Sequence, residues 1–85
     1  MKMYFNNSNG ERYEILARIC NDVMLLQTMN GNYIVARWIN NNSWGAGHYW
    51  MDNKLEAWKD FFKLAYEASG ADIPYKEFIE MFREV

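Results

Sequence analysis

Hydrophobic and polar positions alternate over the first half of the chain. Over Arg12–Cys20, Tyr13, Ile15, Ala17 and Ile19 fall on one side, with Arg12, Glu14 and Arg18 on the other. A period of two is the mark of a half-buried strand. Val23–Met29 and Tyr33–Ile39 are further β-rich runs, and Lys2–Phe5 is a short apolar stretch that predicts a first strand. Turn chemistry separates them: Asn6–Gly10, Asn21-Asp22 and Asn30-Gly31-Asn32. Asn and Gly accept left-handed backbone, so these are natural reversal points.

A two-residue turn at Asn21-Asp22 pairs Ile19 with Met24 and Ala17 with Leu26. A three-residue turn at Asn30–Asn32 pairs Leu26 with Ala36 and Met24 with Trp38. One face then gathers Tyr13, Ile15, Ala17, Ile19, Met24, Leu26, Ile34, Ala36 and Trp38 without a charge, and this is the expected core face. A slip of one residue would bring Arg37 onto it.

The period changes after residue 52. Asn53 with Glu56 three residues on resembles a capping box, and Gly70 stands where a helix ends, so a helix is expected to about Ser69. Leu55, Trp58, Phe62 and Ala65 make one apolar stripe, and Ala57, Phe61, Leu64 and Ala68 a second beside it. So wide an apolar face predicts packing on two neighbours. Asp72 and Pro74 open a second helix with Tyr75, Phe78, Ile79, Phe82 and Val85 on one face. The expected fold is α+β: one domain over residues 1–85, with an antiparallel β-meander of three to five strands followed by two α-helices packed on one face.

Composition supports a packed core, since hydrophobic residues are 51% and aromatic residues 18% of the 85. Aromatic side chains bury the most area, which a domain this small needs. The single cysteine, Cys20, excludes an internal disulfide. Neither an apolar leader nor a membrane-length run is visible, so the expected setting is the cytoplasm without membrane contact. Net charge is −2: residues 1–51 carry four Lys/Arg against three Asp/Glu, and residues 52–85 five against eight. The acidic helical half disfavours phosphate backbones as partners.

Reactive side chains are sparse. A Cys20–His48 dyad lacks any nucleophile motif, and one His and one Cys cannot make a structural zinc site. Asp52, Glu56 and Asp60 share a helix face, but Lys59 and Lys63 lie close enough to neutralise it. Gly45-Ala46-Gly47 lacks the Lys-Ser/Thr of a phosphate loop. The expectation is a protein that is not an enzyme and holds neither cofactor nor metal.

The segment Asn40–Met51 reads as a twelve-residue aromatic connection. It contains Trp44, His48, Tyr49 and Trp50, and Trp and Tyr dominate binding hot spots, so these four are the expected partner-binding residues. The competing reading makes His48–Met51 a short edge strand beside Tyr33–Ile39, with Tyr49 or Trp50 plugging the core. The second candidate surface is the opposite sheet face, where Arg12, Arg18, Tyr33 and Arg37 could hold single-stranded nucleic acid. A protein partner is the first expectation, nucleic acid the alternative, and self-association through the apolar sheet face a third.

The runs Tyr13-Glu14-Ile15-Leu16-Ala17, Tyr33–Trp38 and Trp44-Gly45-Ala46-Gly47-His48-Tyr49-Trp50 resemble a family of small uncharacterised proteins of low-GC Gram-positive bacteria and their phage and conjugative elements. The likeness covers roughly residues 12–62, and the Trp-Gly-x-Gly-His-Tyr-aromatic stretch is its most specific part. It implies a bacterial or phage cytoplasmic protein with an accessory role, such as modulating a host defence complex. It carries over no catalytic residues.

Overall fold

The computed structural model describes residues 2–19, 22–70 and 72–83, with side chains described as far as Glu80. Cys20, the Asn21 half of the expected turn, the side chains of Phe82 and Arg83, and Glu84 and Val85 lie outside the described residues. The order of elements is β1 (Met3–Asn6), β2 (Arg12–Ile19), β3 (Val23–Gln27), β4 (Tyr33–Ile39), β5 (Trp44–Trp50), α1 (Lys54–Ser69) and α2 (Tyr75–Arg83). The five strands form one antiparallel meander in chain order, and the helices follow it. The α+β architecture is the expected one, with β5 as its fifth strand. Among the described residues no helix is long and apolar enough to cross a membrane.

The central strands are buried on both faces. Val23 to Leu26 are inaccessible to solvent, and Tyr33 to Ala36 nearly so. Two-sided burial explains why Val-Met-Leu-Leu and Tyr-Ile-Val-Ala are unbroken apolar runs. Val23, Leu25, Tyr33 and Val35 pack against Ala57, Phe61 and Ala65 of α1 and Phe78 of α2. Met24, Leu26, Ile34 and Ala36 pack instead with Phe5, Tyr13, Ile15, Ile39 and Trp44. No helix lies on that second side, so the sheet covers it by curling. Phe5 of one edge strand and Trp44 of the other meet with ring centroids 5.7 Å apart, and Ser8 N–H donates to Asn42 O at 2.9 Å.

Two irregularities produce the curl and correct the expected register. A bulge between Ile15 and Ala17 turns the rest of β2 over. Ile19 therefore pairs with Val23 and Ala17 with Leu25, and both side chains move to the helix side. In β4, Trp38 takes a left-handed conformation with φ 55°. Ile39 replaces it against the inner core, and Trp38 stands 62% exposed instead of joining the core face. The β3–β4 turn spans Thr28–Asn32, with Thr28 N–H bonded to Asn32 O and Gly31 at φ 86°. That longer turn pairs Leu26 with Ile34 and Met24 with Ala36. A shift of two keeps the side chains up to Arg37 on their expected faces.

The helix signals act as read. Asn53 Oδ1 caps α1 by accepting from Glu56 N–H, and Gly70 ends it at φ 61°. The buried stripe is Ala57, Phe61 and Ala65, flanked by Trp58, Phe62, Leu64 and Ala68. The alanines let the helix axis approach the sheet, and Phe61 fills the space between them. Leu55, expected in a stripe, is instead 64% exposed. Tyr66 joins the helices through edge contacts to Tyr75 and Phe78.

Candidate interaction surface on the β4–β5 hairpin

The segment expected as a long loop is a hairpin. Asn40–Ser43 makes its turn: Asn40 N–H donates to Ser43 O, and Asn40 Oδ1 accepts from Ser43 N–H and Oγ–H. Trp44 and residues 46–50 then pair with β4, from Ile39↔Trp44 to Tyr33↔Trp50, with a break at Gly45 opposite Trp38. A strand presents successive side chains to opposite faces. That alternation breaks at Gly45, opposite the left-handed Trp38, so Trp44 shares a face with Tyr49 while His48 and Trp50 share the other.

His48 and Trp50 face α1, where they converge on Asp60. His48 Nδ1 lies 2.7 Å from Asp60 Oδ2, and Trp50 Nε1–H donates to the same oxygen at 3.1 Å. A carboxylate only accepts, so Nδ1 carries the proton. The Asp60 side chain is 13% exposed, and its two partners account for its burial. Asp60 thus fastens the last strand to the helix layer. Asp60→Ala is expected to lower stability by about 1.5–3 kcal/mol, because two donors lose one charged acceptor. Urea unfolding measures this, and faster amide exchange in β5 than in β3 locates it.

Trp44 and Tyr49 lie on the inner, curled side. Trp44 packs edge-on to Tyr13 at 5.5 Å, and its Nε1–H donates to Tyr49 Oη at 3.3 Å. Gly47 makes this pair fit, since a Cβ there would sit 3.0 Å from Trp44 Nε1 and 3.1 Å from Tyr49 Oη. The Trp38 ring covers Gly45 in a similar way, 3.4 Å from where its Cβ would be. Trp44 is a partly buried plug and Tyr49, 66% exposed, is its outer support. Tyr13, beneath them, has its pKa raised by burial and by its hydrogen bond to Glu11.

The outward aromatic surface is therefore Trp38 and Tyr49, with Trp44 between them and the core. Trp38 was not legible as a surface residue, because its place depends on one left-handed backbone position. The Arg37 guanidinium lies over the Trp38 ring at 5.3 Å. From Trp38 to Met51 the chain carries no Lys, Arg, Asp or Glu.

The four residues of the alternative nucleic-acid face are not brought together. Tyr33 is 8% exposed beneath the helices, so its ring offers no stacking platform. Arg12 lies over Tyr4 at 3.7 Å, and Arg37 over Trp38. The bulge in β2 sends Arg18 to the curled side, beside a cleft of about 520 Å³ between β1 and the hairpin turn. The Asp52, Glu56 and Asp60 stripe does not converge either: Asp60 turns to β5 and Glu56 to Lys59. Among the described residues no three His, Cys, Asp or Glu side chains are grouped to hold a metal ion. Gly45-Ala46-Gly47 lies inside a strand.

Fold and surface together define an α+β domain in which a coiled five-stranded meander, backed by a helix pair, displays an uncharged aromatic hairpin. No protein-family model, no curated protein and no solved structure matches the chain.

Proposed function

We propose that this chain is a non-enzymatic interaction protein that engages a protein partner through the β4–β5 hairpin. Trp38 and Tyr49 make the primary contact, Trp44 supports them, and His48 and Trp50 fix the strand that carries them. One observation carries this reading: two large aromatic side chains stand more than half exposed on a backbone held in place by a turn, a core plug and an Asp60 anchor. Exposed aromatics on a rigid frame lose little conformational freedom on binding, which is what makes a hot spot. The stretch Trp38–Met51, which carries no Lys, Arg, Asp or Glu, suits a partner surface with an apolar pocket, and Arg37 lies over the Trp38 ring at its border. The resemblance to small proteins of Gram-positive bacteria and their mobile elements favours a cytoplasmic modulator of a host complex.

The test is affinity capture from a low-GC Gram-positive cytoplasmic extract with the native chain and with W38A/Y49A. Capture by the native chain alone, with matching circular dichroism spectra for both, supports the reading. Equal capture by both proteins would overturn it, and so would salt-sensitive binding of single-stranded oligonucleotides as the sole activity.

A further inference from the structure

The sheet has two edge strands, and they are protected very differently. β1 is four residues long, follows Lys2, and is braced by the Lys2–Glu14 ion pair and the Arg12–Tyr4 contact. Short edges with charge beside them resist pairing with other chains. β5 is seven residues long, has no charged residue and no proline, and keeps one register with β4 on both sides of the break opposite Trp38. Among the described residues its backbone bonds to β4 alone.

The backbone alternation tells which amides β5 leaves open. Trp38 N–H donates to Asp22 O, so the even positions of β4 face β3, and Tyr33, Val35 and Arg37 face β5. Their partners Trp50, His48 and Ala46 bond inward. Gly47 and Tyr49 therefore direct N–H and C=O outward, while the alternation breaks at Gly45, opposite the left-handed Trp38.

We propose that β5 pairs antiparallel with β5 of a second copy of this chain, about a two-fold axis at Gly47. In that register Gly47 faces its own copy, and Gly45 faces Tyr49 of the other protomer. The Gly47 pair exchanges both open N–H and C=O groups across the axis. The side-chain order is self-complementary: a glycine lies on the axis, Tyr49 covers Gly45, and Ala46 meets His48. No like charges oppose one another across this edge. The product is a continuous sheet with the helices of both protomers on one side. It sets two Trp38/Tyr49 surfaces side by side, which would raise avidity for a repeated or symmetric partner. The pairing uses the strand edge and is independent of whether those aromatics bind a partner.

Sedimentation velocity of the intact chain across a wide concentration range should show twice the 10.2 kDa chain mass at high concentration. Amide exchange at Gly47 and Tyr49 should slow about tenfold or more with dimer formation, while Gly10 and Gly31 remain unchanged. Isotope-filtered spectra of a mixed labelled and unlabelled sample should show an Ala46 Hα–His48 Hα contact between copies. A monomer at every concentration overturns the inference, as does a dimer in which Gly47 and Tyr49 amides exchange at the monomer rate. Partner capture by W38A/Y49A is read separately, so failure of one proposal does not imply failure of the other.

Discussion

Phe61→Ala is expected to destabilise the fold by about 3–5 kcal/mol, the usual cost of emptying a large aromatic site in a core. Phe61 is inaccessible to solvent and lies between Ala57 and Ala65 at the centre of the helix–sheet layer. Its ring makes edge contacts with Trp58 at 6.0 Å and Phe62 at 5.7 Å. The flanking alanines have no side-chain reach with which to refill the space, so the cavity persists. For a domain of this size total stability is on the order of 4–13 kcal/mol, and the loss would consume much of it. Chemical denaturation measures the change, and Leu55→Ala on the same helix should fall within about 0.5 kcal/mol of the native chain. A Phe61→Ala protein as stable as the native one would mean that α1 does not pack on the sheet through this residue.

Trp44→Ala is expected to lower stability by about 2–4 kcal/mol, while Tyr49→Ala costs about 1 kcal/mol or less. The two residues are hydrogen-bonded neighbours on one strand, yet they have different tasks. Trp44 touches Phe5 and Tyr13, so it closes the curled side of the sheet by linking its first and last strands. Tyr49 is 66% exposed and only supports that plug. Urea midpoints for the two variants measure the difference, and the reverse order would invert the assignment of inner and outer aromatic residues. The result also governs functional tests. A Trp44 substitution confounds folding with binding, whereas Trp38 and Tyr49 can be removed with the core intact.

Much of the architecture was legible from pattern. The alternation that opens at Arg12, the β-rich runs at Val23 and Tyr33, the Asn-Gly turn at Gly31, the Asn53 cap and the Gly70 stop are local signals with local causes, and each corresponds to a feature of the structure. The hairpin was less legible. Gly45-Ala46-Gly47 has poor strand propensity, so Asn40–Met51 reads as a loop; pairing with β4 overrides that preference, and the rings of Trp38, Trp44 and Tyr49 shield the bare backbone. The suggestion of an edge strand at His48–Met51 was close, although the strand begins at Trp44 and ends at Trp50.

The candidate site divides in the same way. Its aromatic residues were visible as a cluster, but their assignments were not. Asp60 looked like one member of an acidic helix stripe until the fold brought His48 and Trp50 to it. Arg12, Arg18, Tyr33 and Arg37 looked like neighbours on one face, but a bulge and a covering helix place them apart.

The sequence by itself determined the kind and order of the elements and most of their turns and caps, because these depend on neighbours a few positions away. Only the tertiary structure decided that the sheet is buried on both sides, that Trp44 closes the inner side, and that Trp38 and Tyr49 are left outside. Those outcomes rest on one bulge between Ile15 and Ala17 and one left-handed residue at position 38. Each reverses the face of every residue that follows it in its strand. Such a reversal is chosen by long-range packing between strands at opposite edges of the sheet, and no local pattern encodes it.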